Sequence, residues 1–437
     1  MLNVNSSAGK SQFSSREVFG GGILACMPVF VYFYILLVLP FMAGGGKARP
    51  ENILFWPVMA AVIFALVLQN WSRINTAFLR SLPIASLIAY LVFASASVTW
   101  AYSPNYAFSR AVVTILAAFI IVMPYALPIN TKHTIARLHI CCAAALAISA
   151  VYVLTTPSTP IGHPGYFTHK QELGLLAATG LILASHELLF GSWWRRIIAS
   201  VSISLSFWLV FASQSKSALA FALAALVTSA VVLVICKKIR ITPAHIVGAV
   251  VIASLFVHNP IERIGYRIYG DSTLTGRTGI WEFTNYQISR RPWLGWGFHS
   301  YYFVPNSPQN EAKGYIKDMP SSHSGYLQLK LETGRLGYWI FLVFIYASLY
   351  FVELVRRRDP VRAWFILSIE IFAILINLTD TVWLTLTDLW ILYLIVVADS
   401  VNYSLSPQLM RGVRQISRSR IVGKVVRTAR RPRLSNA

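Results

Sequence analysis

The sequence of 437 residues contains few charged residues, and acidic residues are the scarcest of them. Only 12% of the chain is Asp, Glu, Lys or Arg, whereas 56% is hydrophobic. Soluble domains contain about 25% charged residues, so this composition excludes a soluble globular protein. Together with a mean hydropathy of +0.58, it indicates an integral membrane protein.

Cysteine is also rare. The four cysteines are Cys26, Cys141, Cys142 and Cys236, and each lies within a hydrophobic run or at the edge of one. They cannot form a disulfide framework in a loop outside the membrane, and none has the spacing of a metal site. We interpret them as small apolar packing residues.

The sequence does contain twelve hydrophobic runs, most of them near the 17 to 25 residues that cross a bilayer as a helix. The runs lack the alternation of membrane-spanning strands. We therefore predict an all-α polytopic membrane protein with a single membrane domain over residues 1–437. The predicted spans are 23–43, 53–69, 83–100, 108–128, 136–154, 172–190, 197–212, 217–236, 243–257, 336–355, 362–378 and 388–404.

The positive charges orient these spans. Most of the 38 Lys and Arg residues lie near the N-terminus, in every second connection and in the tail at 405–437. The positive-inside rule then predicts that both termini are cytoplasmic and that the large loop at 258–335 is periplasmic. Because the net charge of +22 lies next to spans, we expect no nucleic-acid partner. The basic tail could bind anionic headgroups or be a disordered segment that sets topology.

The large loop carries the first candidate site. Thr275-Gly276-Arg277-Thr278-Gly279 precedes a helical pattern that Pro292 ends, and Thr278 is the expected N-cap. Arg277 would then lie beside a helix N-terminus, where backbone N–H groups and a guanidinium can bind phosphate together. The alternative is nonspecific binding of lipid headgroups.

A second candidate is His323, which lies near the start of a helix that leads into the span at 336–355. A neutral imidazole at the membrane surface could accept a proton from a sugar hydroxyl. A lone histidine at an interface is more often a simple polar contact.

Two short outer loops add basic residues to the same face. Lys170 and Lys216 are informative because the short outer loops otherwise have few lysines. With Arg277 they could form a cationic pocket for a diphosphate at the bilayer surface. His163 and His169 could instead suggest a metal, but their spacing fits no familiar site.

These motifs together resemble the O-antigen ligase and O-antigen polymerase superfamily. The resemblance rests on the span layout, the late outer loop and the runs Gly-Arg-Thr-x-x-Trp at 276–281, Pro-x-x-Gly-x-Gly-Phe at 292–298 and His-x-x-x-Leu at 323–327. The chain is most similar to the exopolysaccharide-production branch of this superfamily. The similarity lies in two short runs, His-Lys-Gln-Glu-Leu-Gly at 169–174 and Ser-Lys-Ser-Ala at 215–218. Two positions depart from the usual pattern, since Ser324 and Gln171 stand where asparagine is common.

The resemblance implies a GT-C-like, metal-independent glycosyltransferase of the bacterial inner membrane, without a cofactor. Its donor would be a glycan on undecaprenyl diphosphate and its acceptor another glycan. Membrane lipids and a chain-length regulator would be further partners. The implied catalytic residues are Arg277, Lys216 and His323, and the implied substrate-binding residues are His169, Lys170, Trp281 and Tyr326.

The aromatic residues of the loop have two interpretations. They could stack on sugar faces, or they could anchor the loop at the membrane interface, which we favour for most of them. The residues concerned are Trp281, Trp293, Trp296, Tyr301 and Tyr302.

Three functions stay open on the sequence alone. The first is a polymerase that joins lipid-linked repeat units, and the second is a ligase that transfers glycan to lipid A-core. The third is a transporter or flippase, which Glu370 in the span at 362–378 favours because intramembrane carboxylates are often functional. Glu370 could equally be a structural contact between helices.

Overall fold

The computed structural model describes residues 15–42, 50–255, 276–302 and 304–405, without the side chains of 15–21, 50–53 and 251–255. These residues form helices and no strand, apart from one isolated bridge between Thr159 and Gly162. The all-α prediction is confirmed. The predicted loop residues 258–275 and the tail beyond residue 405 lie outside the described residues.

The long helices are α1 (Ser15–Leu37), α2 (Pro50–Gln69), α3 (Leu82–Ala96), α4 (Pro104–Val122), α5 (Thr134–Thr155), α6 (Lys170–Phe190), α7 (Trp193–Ser213), α8 (Lys216–Ile239), α9 (Pro243–Leu255), α10 (Arg277–Arg290), α11 (Gly325–Arg356), α12 (Pro360–Ile376) and α13 (Asp388–Leu405). Short helices lie at Leu39–Met42 and Thr76–Leu79. Single 3₁₀ turns lie at Trp71–Arg73, Ser97–Trp100, Met123–Ala126, Pro308–Glu311 and Gly314–Asp318.

A helix coincides with each of the twelve predicted spans, and α10 belongs to the large loop. Eight of the described helices are long and apolar enough to cross a membrane, and α1 and α2 contain shorter apolar stretches at Gly22–Leu37 and Leu54–Gln69. Helices form here because a chain in hydrocarbon must satisfy its backbone hydrogen bonds internally. The protein is thus a multi-pass membrane protein.

The helices α6 and α13 lie at the centre of the bundle. In the most apolar stretch of each helix, the buried share is 72% for α6 and 83% for α13. The corresponding share is 33% for α7 and for α8. Small residues permit this close packing, since a Cβ added to Gly180 of α6 would lie 2.9 Å from a Leu146 methyl of α5. The central helices therefore carry the parts of the chain whose positions are most constrained.

As the sequence predicts, a helix that starts just after His323 leads into the span at 336–355. The helix α11 begins at Gly325, eleven residues before the predicted span, and it kinks at Gly334, where φ is +65°. The kink exposes the carbonyl groups of Leu331 and Glu332, which accept hydrogen bonds from the backbone N–H groups of Trp296 and Gly297, each at 2.9 Å. The 292–298 run is therefore a strap across the kink.

Backbone contacts also fix this strap to the connection between α3 and α4. The Phe298 N–H donates to Ser97 Oγ at 2.9 Å, and the Tyr102 N–H donates to the Trp296 carbonyl at 3.0 Å. A Cβ added to Gly297 would lie 2.4 Å from Ala101 Cβ, so glycine is required for this close approach. The loop is thereby held in a defined position over the bundle.

The helix ends form two groups. We call the one that includes Lys170, Lys216, Arg277, Gly325 and Asp388 the site end. The other, the basic end, includes Arg362, which bonds Thr131 and Asp399, and Glu353, which bonds Arg356 and Arg357. Among the described residues it contains the short connections that the charge distribution predicts to be cytoplasmic.

Candidate active site

The helix α10 begins at Arg277, and its start differs from our expectation in one detail. The N-cap residue is Gly276, with φ +83°, rather than Thr278, which lies inside the first turn. Tyr315 covers this start, because its hydroxyl donates to the Gly276 carbonyl at 2.7 Å. Arg277 is therefore at the first position of the helix, where N–H groups without helical partners favour an anion.

His323 lies in a tight turn between Ser321 and Gly325. Its φ of +47° is a left-handed conformation that non-glycine residues seldom adopt. The turn is held at its end by Gly325, whose N–H donates to the carbonyl groups of Asn377 and Asp380 at 2.9 and 2.8 Å. A Cβ added to Gly325 would lie 2.0 Å from Asn377 Oδ1, so only glycine allows this approach.

The structure adds one residue that the sequence analysis missed. Asp380, in the connection between α12 and α13, places its Oδ1 4.0 Å from His323 Nδ1. Catalytic hydrogen bonds are often long before substrate binds, so this distance suits an orienting carboxylate. The signal in the sequence was weak, since Asp380 is only one carboxylate in a short predicted outer connection.

His169 and Lys170 also lie at the site end. His169 is the N-cap of α6, and its Nδ1 accepts from the Gln171 N–H at 3.2 Å. Lys170 Nζ donates to the Ile161 carbonyl at 2.6 Å, and an ammonium group has two further N–H donors. Asp380 acts electrostatically on both His169 and His323, and Arg277 acts on Lys170. Five side chains therefore lie near one another at the site end, namely His169, Lys170, Arg277, His323 and Asp380.

Lys216 begins α8 and is exposed. The turn before it packs against the loop that leads to Lys170: the His163 N–H donates to the Ala212 carbonyl at 2.9 Å, and a Cβ on Gly174 would lie 2.3 Å from Ser215 Cβ. The two short outer connections are thus neighbours, as a shared cationic pocket requires. A role for Lys216 toward Arg277 stays a prediction.

Trp281 and Tyr326 have structural partners at the site. The Trp281 Nε1–H donates to the His323 carbonyl at 3.3 Å, so the indole connects α10 to the His323 turn. The Tyr326 hydroxyl donates to the Ile374 carbonyl of α12 at 3.0 Å. Both side chains are half-buried, and direct substrate contact stays a prediction for each.

The sugar-stacking interpretation is wrong for two of the loop aromatics. Trp296 is 4% exposed and Tyr301 is 0% exposed, so neither offers a ring face to a substrate. They form a small core with Leu331 of α11. Trp293 is exposed, with the Arg335 guanidinium over its ring. The loop aromatics therefore serve mainly to pack and anchor the loop.

The metal interpretation of His163 also meets an obstacle. His163 Nδ1 accepts from the Gly165 N–H at 2.8 Å, and Nε2 lies 3.0 and 3.1 Å from the hydroxyl and carbonyl of Thr156. Both ring nitrogens are occupied, which makes His163 a structural residue. Among the described residues no group of three or more His, Cys, Asp and Glu could hold a metal ion.

The electrostatics of the site favour a neutral imidazole at His323. Burial lowers its pKa, Asp380 opposes this by raising it, and Arg277 and His169 lower it further. Burial likewise lowers the pKa of His169, again against Asp380. Near neutral pH His323 can therefore accept a proton while Arg277 and Lys170 keep the surrounding potential positive.

A candidate base and a candidate anion-binding corner thus lie at one end of the helices of a multi-pass membrane protein, an arrangement that suits group transfer. Residues 201–342 match the family model described as O-Antigen ligase. The match confirms the resemblance to the O-antigen ligase and polymerase superfamily. It includes Lys216, Arg277 and His323 and ends before Asp380. No curated protein matches the chain.

Proposed function

We propose that the protein polymerises polyprenyl-diphosphate-linked oligosaccharide repeat units at the periplasmic face of the bacterial inner membrane. The observation that carries this proposal is the convergence of His323, Asp380 and Arg277, from three separate segments, at one end of the bundle. A base beside an anion-binding corner is what glycosyl transfer from a diphosphate donor requires. The family match supports the same class of membrane enzyme.

The leaving group is the part of the donor that the cationic residues recognise. A lipid diphosphate at the membrane surface would meet Arg277 and the N–H groups of the first turn of α10. Lys170 and Lys216 would add positive charge from the neighbouring short connections. Fixed positive charge stabilises the diphosphate as the glycosidic bond breaks, and this is where such a site lowers the barrier.

His323 and Asp380 act on the acceptor. Asp380 faces Nδ1, so it can orient the imidazole and stabilise the imidazolium that forms, leaving Nε2 to take the proton. The acceptor hydroxyl loses its proton to Nε2, and its oxygen forms a bond to the anomeric carbon. The bond from that carbon to the diphosphate oxygen breaks, and attack from the opposite face inverts the configuration.

A ligase that transfers glycan to lipid A-core is the alternative within the same chemistry. Polymerase is favoured by Lys216, since ligases of this superfamily more often have arginine there, and by the runs at 169–174 and 215–218. Transport receives less support. Glu370 is fully buried beside Ser348 and Tyr393, whereas a transport carboxylate is expected to face a water-filled path.

The glycan profile of a deletion strain distinguishes these functions. Loss of high-mass secreted polysaccharide is the expected result for a polymerase. Loss of the lipopolysaccharide ladder while lipid-linked polymer accumulates would indicate a ligase. Precursor trapped on the cytoplasmic side, with none reaching the periplasmic face, would overturn the enzyme proposal in favour of transport.

We further expect the transfer to need no divalent metal. Arg277, Lys170 and Lys216 supply the positive charge that a cation gives to many diphosphate-using enzymes. Purified protein should therefore form polymer from lipid-linked repeat units equally well with and without EDTA. Activity that EDTA abolishes and magnesium or manganese restores would contradict this assignment.

A further inference from the structure

The backbone of the His323 turn is held from within by a side chain of its own helix. The N–H of Ser322 donates to Gln328 Oε1 at 3.1 Å, and both residues are almost completely buried. Ser322 immediately precedes His323, whose backbone is in the left-handed region. The orientation of the imidazole therefore depends on where Gln328 holds the preceding peptide.

The orientation of the Gln328 amide is itself fixed. Its Nε2 donates to Glu332 Oε1 at 2.6 Å, and Glu332 lies one turn further along α11 on the same face. An ionised carboxylate can only accept hydrogen bonds, so the NH₂ group must face Glu332 and the carbonyl oxygen must face Ser322. The two bonds form a relay with one direction, from Ser322 through Gln328 to Glu332.

The far end of the relay is anchored in the kink. Glu332 is 3% exposed, and its backbone carbonyl accepts from the Gly297 N–H of the strap at 2.9 Å. His299, just after the strap, brings its Nδ1 to 3.8 Å from Glu332 Oε1. The strap, the kink and the relay thus form one continuous support that ends at the His323 turn.

We propose that Gln328 and Glu332 are positioning residues that set the geometry of His323 for acceptor activation. The proposal rests on the proposed function, because it assigns His323 to glycosyl transfer. It predicts that a donor matched with an acceptor at each hydrogen bond matters more than the identity of either residue or the direction of the second bond. Exchanging the two side chains should preserve both hydrogen bonds, with the one between positions 328 and 332 reversed, whereas changing one side chain alone can break that bond.

A pair of single variants and their combination test this prediction. Gln328→Glu places two carboxylates against each other, so turnover should fall roughly tenfold to a hundredfold, a range typical of coupling within one hydrogen-bond network. Glu332→Gln should cost less, because the new amide oxygen can still accept from Gln328.

The exchanged variant Gln328→Glu/Glu332→Gln should recover most of the wild-type turnover. In it the carboxylate at position 328 accepts from the Ser322 N–H and from the new amide at position 332. Binding of the lipid-linked donor should be unchanged in all three.

A matched control is Gln287→Glu on α10. Gln287 is also buried and also donates to a glutamate, Glu311, but Arg290 contacts the same carboxylate. It lies ten residues from Arg277 along α10, or about 15 Å at the helical rise. This variant should keep turnover near the wild-type value. If it loses as much as Gln328→Glu, an added buried carboxylate is harmful anywhere in the loop and the proposal is wrong.

Amide hydrogen exchange gives a readout that does not depend on activity. The Ser322 amide should exchange faster in Gln328→Glu than in the wild type, and slowly again in the exchanged variant. If slow hydrogen exchange at Ser322 returns in the exchanged variant but turnover does not, the positioning role is wrong. Unchanged exchange in Gln328→Glu would overturn the relay itself. A wild-type protein without transfer activity would contradict the proposed function alone, because the exchange measurement still decides the relay.

Discussion

The two ends of the helix bundle use charged residues in opposite ways. At the basic end, Arg362 is buried and bonds both carboxylate oxygens of Asp399 at 2.7 Å, and Glu353 accepts from Arg356 and Arg357. At the site end, Arg277 and Lys170 are like charges that act on each other, and His323 Nδ1 has no hydrogen-bond partner among the described residues. Loss of one partner of a buried matched pair destabilises a fold, whereas clustered cations beside a candidate base are expected at a functional site.

The difference has a physical origin in what each end must contact. Arginines at the basic end complete the helix termini themselves: Arg358 donates to the carbonyl groups of Tyr403 and Ser404 at 3.1 and 2.7 Å. Their positive charge is thus used within the protein. At the site end the loop and the short connections bring cationic side chains from separate segments close together, and we propose that their charge serves a ligand.

The largest expected effect is the loss of His323. His323→Ala should lower turnover by roughly 10²–10⁴ while donor binding stays near the wild-type level, because a general base acts only on the acceptor. Polymer formation and direct binding of a lipid-linked donor measure the two parts. His245→Ala is the control, since His245 is exposed and bonds Thr242 outside the site. Turnover at the wild-type rate in His323→Ala would make the turn structural.

The comparison predicts that the basic end affects stability rather than chemistry. Arg362→Ala leaves Asp399 buried without its partner and should destabilise the fold by about 3–5 kcal/mol. The midpoint of thermal unfolding in detergent should fall, while turnover per folded molecule stays unchanged. Arg357→Ala should have little effect on either quantity, because its side chain is 65% exposed and Arg356 still pairs with Glu353. If folded Arg362→Ala turned over more slowly than the wild type, the basic end would affect chemistry as well as stability and the contrast between the two ends would be wrong.

Arg277→Ala should reduce donor binding and the rate together. Removing one preorganised partner of a developing charge typically costs about 10²–10³ in rate. Arg277→Lys should recover only part of this, because lysine lacks the planar fork that binds two phosphate oxygens. Arg335→Ala serves as the control, since Arg335 is an exposed arginine of α11 that stacks on Trp293. Normal donor binding in Arg277→Ala would place the diphosphate elsewhere.

The smallest effect concerns pH. Burial holds the pKa of His323 below its ordinary value, and Asp380 raises it. A base is active when neutral, so the rate should fall as pH drops through that pKa, below the usual value of about 6.5. Asp380→Asn removes the charge that raises the pKa of His323, so the acid side of the rate profile should move to lower pH. A rate profile of both proteins checks the direction, and a limb that moves upward or not at all would separate Asp380 from His323.

Part of the candidate site could be predicted because local sequence patterns encode it. Arg277 at the start of α10 and His323 before α11 follow from helix boundaries that Pro, Gly and apolar periodicity mark. The N-cap was misassigned to Thr278 because a left-handed glycine can cap a helix as well as a hydroxyl residue can. The kink at Gly334 was missed because it lies in the polar stretch Glu332-Thr333-Gly334-Arg335, just before the predicted span, where hydropathy does not indicate how the backbone bends.

Asp380 illustrates what a single sequence cannot supply. It lies 57 positions after His323 in the chain, and only the packing of α11 against α12 and α13 brings the two side chains to 4.0 Å. The same holds for Trp296 of the strap and for Tyr301 just after it, which become core rather than sugar-binding surface. Contacts of this kind depend on which helices are neighbours, and hydropathy does not specify neighbours.

The sequence by itself determined the environment and the elements of this protein. Scarce charge and long apolar runs require a membrane and helices, because hydrocarbon offers the backbone no other hydrogen-bond partners. The tertiary structure alone decided which polar groups meet. In a bundle whose helices are all apolar, the arrangement follows from small-residue packing and from a few buried hydrogen bonds, such as those of Gly325 with the connection that carries Asp380.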